Sequence, residues 1–182
     1  AVPILISNST IPILGAVDTA VIGQLGEPSA LGAVGIGAIL ITAIYWIFGF
    51  LRMGTVGLTS QAFVARDHAE VDARLVRCLL IGFFAGLIII LIQSIIFKFA
   101  LYMSPASPEV ESFASSYMRI RIYSAPAAIS LFAITGWLIA LERTKSILVI
   151  QLLMNGLNVF LDILFVSFLE WEIEGVAYAS LI

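Results

Sequence analysis

Long apolar runs separated by short polar links are the main pattern of this 182-residue chain. The runs cover roughly residues 1–25, 31–65, 74–102, 109–141, 147–169 and 175–182. Each of the first five is long enough to cross a bilayer, because about 20 apolar residues span the hydrocarbon core. The pattern therefore predicts an all-α membrane protein, a bundle of about six transmembrane helices with the sixth truncated.

The two ends of the sequence indicate a piece of a longer protein. The chain begins at Ala1 without a methionine or a basic leader, so we expect the first run not to be a signal peptide with a charged amino-terminal region. The sixth run stops after eight residues, far fewer than a span needs. We therefore expect residues 1–182 to be a fragment.

Composition supports the membrane assignment and excludes several function classes. Hydrophobic residues make up 61% of the chain and charged residues 12%, whereas soluble domains have about 45–50% and about 25%. We expect the lipid bilayer to be its main surrounding. The net charge of −3 argues against binding to nucleic acid. Cys78 and His68 are the only residues of their types, which excludes an internal disulfide and a cluster of Cys or His ligands.

Basic residues lie mainly at one set of links and predict the orientation. The links that follow the second and fourth runs carry Arg66, Arg74, Arg77, Arg143 and Lys145. The positive-inside rule places these links, and the start of the first helix, in the cytoplasm. Lys98, Arg119 and Arg121 fall near the outer side, where we interpret the arginines as snorkelling to the interface.

The fifth run carries one polar stripe on an otherwise apolar helix. Gln151, Asn155, Asn158 and Asp162 are spaced four, three and four residues apart, so they fall within an arc of about 60°. Lipid cannot satisfy such groups, and the stripe must face other helices or a wet cavity. For Gln151 and Asn155, helix–helix hydrogen bonding and a cavity-lining role remain equal alternatives.

Asp18 and Asp162 are the two acids placed well inside predicted spans, and such acids mark functional sites. Counted from the outer ends of their helices, Asp18 lies about 12 Å deep, Asp162 about 10 Å and Ser180 about 8 Å. Asn158 lies one turn from Asp162, and carboxylate, amide and hydroxyl oxygens together suit a hard cation. Asp18, Asn158, Asp162 and Ser180 therefore form a predicted site for a shared proton or for Na⁺, with no other cofactor.

Two stretches resemble the multidrug and toxic compound extrusion (MATE) transporters. Residues 17–26, VDTAVIGQLG, are similar to the first-helix signature of that family, and residues 49–62, GFLRMGTVGLTSQA, resemble its DinF-like branch. Asn158 and Asp162 are similar to its fifth-helix Asn-x-x-x-Asp pair. The resemblance covers the whole chain.

This resemblance implies that residues 1–182 are the amino-terminal transmembrane lobe of a twelve-helix transporter whose carboxy-terminal lobe is missing here. It implies export of drugs or other amphipathic organic compounds by H⁺ or Na⁺ antiport across the bacterial inner membrane. It also implies a cation site at Asp18, Asn158 and Asp162, with Ser180 at a position that is often threonine. Pro3 matches the proline at which the first helix bends.

Three alternatives stand beside the exporter. A flippase for lipid-linked precursors needs a cationic cavity, whereas the stripe on the fifth run is acidic and amide in character. An intramembrane aspartyl protease also needs two membrane aspartates, but Asp162 follows Val-Phe-Leu rather than Gly-x-Gly. The remaining alternative is a lobe with a structural role and no transport of its own.

Overall fold

The computed structural model describes residues 28–103 and 106–182, together with Val21 and Gly23. These residues are helical and include no strand, with helices α1 Pro28–Trp46, α2 Phe50–Val64, α3 His68–Leu91, α4 Gln93–Met103, α5 Pro108–Arg121, α6 Ala125–Ala140, α7 Thr144–Asp162 and α8 Glu172–Leu181. A 3₁₀ turn, Ile47–Gly49, joins α1 to α2, and a second, Ile122–Ser124, joins α5 to α6. A π-helical turn, Ile163–Phe168, continues α7.

Four continuous rods in the described part of the chain are long and apolar enough to cross a membrane: Pro28–Val64, His68–Leu91, Pro108–Ala140 and Thr144–Phe168. Their outer faces carry many exposed large hydrophobic side chains, for example Val64, Leu91 and Ile39. Lipid tails are the natural cover for such surfaces. The prediction of an all-α membrane protein is confirmed.

The helix ends follow ordinary capping chemistry. Asp67 accepts a hydrogen bond from the Glu70 backbone N–H at 3.0 Å, so α3 begins at His68, whereas the apolar pattern placed its start near residue 74. Arg66 and Glu142, which follow α2 and α6, have positive φ angles of 56° and 59°. Both ends close in the left-handed conformation that usually takes glycine.

The helical geometry also breaks at Ile92 and near Pro126. The rod that starts with α3 breaks at Ile92, and α4 continues beyond it. In the third rod, Pro108–Ala140, the 3₁₀ turn Ile122–Ser124 lies just before Pro126, a residue type that commonly kinks helices. Pro3, the other predicted bend, lies outside the described residues.

The helices pack mainly in neighbouring pairs. The most extensive contacts join α3 to α6, α2 to α6, α1 to α5 and α2 to α3, while α8 packs against α5 and, less extensively, against α7. Fully buried apolar side chains, among them Ile41, Met118, Ile129 and Val176, fill the space between them. Small residues allow close approach. A Cβ at Gly37 of α1 would lie only 2.7 Å from the Tyr117 ring of α5.

Candidate cation site

Asp162 occupies an unusual position at the end of α7. It is fully buried, and it is the only buried residue of that 19-residue helix. The backbone changes to the π-helical turn immediately after it, and the Leu169 N–H donates to the Leu164 carbonyl five residues earlier. Such turns are rare and occur frequently at functional sites. The helix therefore directs an acid, and no apolar residue, into the protein interior.

Asn158 and Ser180 meet across the contact between α7 and α8. The Asn158 amide Nδ2 donates to the Ser180 hydroxyl oxygen at 3.3 Å. The predicted depths match for Ser180 and Asp162, and Asn158 lies one turn from Asp162. The other members of the stripe, Gln151 and Asn155, are half-buried on the same helix. The structure thus brings together one amide and one hydroxyl of the predicted site, one helical turn from Asp162.

Asn158 offers an oxygen ligand to this region. Its Oδ1 atom is buried and accepts no hydrogen bond from the part of the chain that the structure describes. Na⁺ prefers oxygen ligands, as do other hard cations. A carboxylate, an amide oxygen and a hydroxyl are consequently a donor set that fits Na⁺ or a shared proton. Asp18, the predicted fourth member, lies outside the described residues.

Arg121 belongs to this region, whereas the sequence predicts that it extends to the membrane interface. Its Nη1 donates to the Ser180 backbone carbonyl, and the side chain is half-buried between α5 and α8. The expectation that Arg121 snorkels to the interface is wrong for this residue. A signal was present, because residues 119 and 121 lie about 200° apart around a helix, so that one of them faces inward.

Tyr45 connects the same cluster to α1. Its hydroxyl donates to the Arg121 backbone carbonyl at 2.9 Å and lies 2.9 Å from the Ser124 hydroxyl, which itself donates to that carbonyl at 2.7 Å. Arg121 is the last residue of α5, and the last carbonyls of an α-helix lose their donors from the following turn. Polar contacts therefore run from Asn158 through Ser180 and Arg121 to Tyr45, across α7, α8, α5 and α1.

An aromatic cavity of about 530 Å³ lies beside the π-helical turn. Phe165 and Trp171 stack with their ring centres 5.2 Å apart, and Tyr178 meets Trp171 edge-on at 5.9 Å. Glu174 and Ile182 complete the lining. Trp171, in the acidic link after the fifth run, is thus part of an aromatic wall. Aromatic faces together with one carboxylate suit an organic cation.

Comparison with known proteins gives consistent matches. Residues 3–164 match the family MatE. The DNA damage-inducible protein F of Escherichia coli strain K12 is 37% identical over 182 residues, which are 100% of this chain and 40% of that protein. Protein DETOXIFICATION 47, chloroplastic, of Arabidopsis thaliana is 26% identical over 180 residues, or 93% of this chain and 31% of that protein.

Solved structures share the fold. A crystal structure of MATE in the bent conformation superposes with a TM-score of 0.88 at 25% identity, over 100% of this chain and 40% of that chain. A MOP superfamily transporter from Pyrococcus furiosus gives a TM-score of 0.89 at 24% identity, over 99% and 40%. The chain therefore spans less than half the length of the relatives it matches.

Proposed function

Because this chain belongs to the MatE family, we propose that it forms the amino-terminal lobe of a secondary exporter in a bacterial inner membrane. This family match confirms the resemblance to multidrug and toxic compound extrusion transporters, which residues 17–26 and 49–62 indicated. Members of the family are transporters, so the intramembrane protease hypothesis is wrong. The proposed cargo is a drug or another amphipathic organic compound, and the proposed driving force is entry of H⁺ or Na⁺.

The observation that carries the proposal is the burial of Asp162. Burial inside a membrane protein makes the ionised form of a carboxylate costly. A proton or Na⁺ removes most of that cost by neutralising the charge. The burial of Asp162 and the open Asn158 oxygen support a cation site there. Asp18 and Ser180 complete it in this proposal.

Occupation of the site can act on neighbouring helices through the polar contacts already described. Ser180 receives the Asn158 amide on its hydroxyl and the Arg121 guanidinium on its carbonyl. A cation bound by the Asn158 amide oxygen and the Ser180 hydroxyl oxygen would compete with the Asn158 Nδ2 donor for that hydroxyl. This competition would favour a different packing of α7 against α8. The first helix would bend at Pro3 in the same transition. Each charge that crosses the membrane gains about 2.3 kcal/mol per 100 mV.

The aromatic cavity supports an organic cation as cargo. It adjoins α7 and α8, the two helices joined by the Asn158–Ser180 hydrogen bond. Rings of Trp and Tyr attract cations, and Glu174 adds a negative charge at its edge. Substrate and coupling ion would then affect the same helix pair, as an antiporter requires. Transport also needs the second wall that a carboxy-terminal lobe supplies in this proposal.

Uptake of a fluorescent cationic dye by everted vesicles tests the function. The vesicles contain the protein that carries this chain, and a proton gradient or a Na⁺ gradient is imposed separately. We expect one gradient to drive dye uptake, and Asp162→Asn and Asp18→Asn each to abolish it. Asp72→Asn, which changes an exposed acid of α3, is the matched control and should transport normally.

The outcomes separate the alternatives. Transport that survives in Asp162→Asn would remove the coupling role of the buried acid. Absence of dye movement under both gradients in the wild type would favour the lipid-linked precursor flippase or a lobe without transport. The gradient that drives uptake identifies the coupling ion. The side accessible to a membrane-impermeant reagent at Ser146→Cys tests the predicted cytoplasmic location of the basic links.

A further inference from the structure

A groove of about 720 Å³ with both polar and apolar lining lies between α4 and α5. It is lined by Gln93, Ser94, Phe97, Lys98, Leu101, Ser115, Arg119, Ile120 and Tyr123. Six of these nine side chains are polar, in a protein whose surface is otherwise mainly apolar. The break at Ile92 separates α4 from α3 at one end of the groove. Polar side chains gathered in a concave surface at this place indicate a binding role.

Two cationic side chains of the groove have no acidic partner among the described residues. The ion pairs found in that part of the chain both involve Glu70, with Arg74 and Arg77. Lys98 and Arg119 are exposed, and neither has a carboxylate of the described chain within 4.0 Å. Glu111, the nearest acid along α5, accepts a hydrogen bond from the Ala106 N–H. The groove therefore carries a net positive charge.

Helix lengths place the groove at one edge of the hydrocarbon core. Arg119 lies 21 residues before Ala140, a distance of about 31 Å along the rod. The Ala140 end adjoins the start of α3, because the Trp137 ring N–H donates to the Val71 carbonyl at 3.2 Å. With a core about 30 Å thick, Arg119 reaches the opposite headgroup level. Lys98 reaches the same level or beyond.

The apolar surface beside the groove suits acyl chains. Ile95, Phe99 and Tyr102 of α4 are exposed at 72%, 66% and 81%. Their spacing of four and three residues places them on one helix face next to Lys98. Cations at headgroup level with a greasy face beside them match the two parts of a phospholipid.

We propose that this groove binds the phosphate of an anionic phospholipid from the outer leaflet. The Arg119 guanidinium presents paired N–H donors that match phosphate oxygens, and Lys98 adds a second charge. Hydroxyls of Ser94, Ser115 and Tyr123 can donate further hydrogen bonds. The acyl chains lie against the exposed face of α4. This site is independent of the proposed export function, because lipid binding is measured without transport.

Native mass spectrometry of the detergent-solubilised protein that carries this chain tests the site. Phosphatidylglycerol and phosphatidylcholine of equal chain length are titrated against wild type and Lys98→Gln/Arg119→Gln. We expect a wild-type preference for phosphatidylglycerol and a loss of about 10- to 100-fold in its affinity in the variant, since two charge-assisted contacts disappear. Arg143→Gln/Lys145→Gln removes the same charge at the other membrane face and should keep the tightest adduct.

Every outcome bears on the proposal. Equal losses in the two charge variants would mean that binding follows net charge, which overturns the site. A wild type without preference for phosphatidylglycerol overturns it without any variant. Displacement of the lipid by millimolar inorganic phosphate would assign the groove to free phosphate instead. Lys98→Arg keeps both charges and the Arg119 guanidinium and should retain binding, which separates lost contacts from lost folding.

Discussion

The contact between α3 and α6 and the contact between α7 and α8 are built in opposite ways. In the first, backbones touch. A Cβ at Gly86 would lie 2.7 Å from the Ala125 carbonyl carbon and closer still to the Pro126 backbone, and one at Gly82 would lie 3.0 Å from Ser130. Only glycine permits this approach, so the two helices hold a fixed register.

The α7 helix, in contrast, contacts its neighbour α8 through polar groups. Asp162 is its only buried residue, and Gly156 has no neighbouring atom within 4 Å of a Cβ position. The hydrogen bond from Asn158 to Ser180 is long, at 3.3 Å. Such contacts are weak, averaging about 0.6 kcal/mol in one membrane protein. This difference indicates that α3 and α6 form a rigid frame, whereas α7 can change its packing at a low cost in free energy.

The largest effect should follow from Gly86→Ala. The new methyl group meets backbone atoms of Ala125 and Pro126 in α6, which cannot rotate away, so we expect a loss of at least about 3 kcal/mol or failure to fold. Thermal unfolding in detergent micelles measures it. Gly156→Ala on α7 is the matched control, and it should be neutral or stabilising by up to about 1 kcal/mol. Equal effects of the two changes would remove the contrast between the regions.

Tyr45→Phe should have an intermediate effect. It deletes the hydroxyl that bonds the Arg121 carbonyl and Ser124, with an expected loss of about 1 kcal/mol in unfolding free energy. Tyr102→Phe, at a side chain that is 81% exposed, should change nothing under the same measurement. A Tyr45 variant as stable as the wild type would show that the hydrogen bonds of the Tyr45 hydroxyl do not stabilise the contact between α1 and α5.

The smallest effect should come from the Asn158–Ser180 pair. A double-mutant cycle with Asn158→Ala and Ser180→Ala should give a coupling energy of about 0.6 kcal/mol, the scale of hydrogen bonds between membrane helices. Chemical unfolding in mixed micelles supplies the four free energies. A coupling above about 2 kcal/mol would instead make α7 part of the rigid frame.

Predicting the helices and the acid-lined face of α7 required only local reasoning. The spacing of Gln151, Asn155, Asn158 and Asp162 on an apolar helix has one sensible orientation, and Asp162 is buried accordingly. Local reasoning could not predict that Arg121, rather than Arg119, bonds to another helix. Charge and position along the chain are nearly the same for Arg119 and Arg121, yet one lines a surface groove and the other bonds to α8.

The sequence by itself determined that the chain crosses a membrane as helices, because long apolar runs leave the backbone no partner but itself in lipid. It also determined which helix turns an acid inward. Only the tertiary structure decided that Arg121 and Asn158 meet at Ser180, and that Lys98 and Arg119 share a groove. These pairings join residues far apart in the chain. They depend on which helix faces come together, and that is set by close packing at positions such as Gly37 and Gly86.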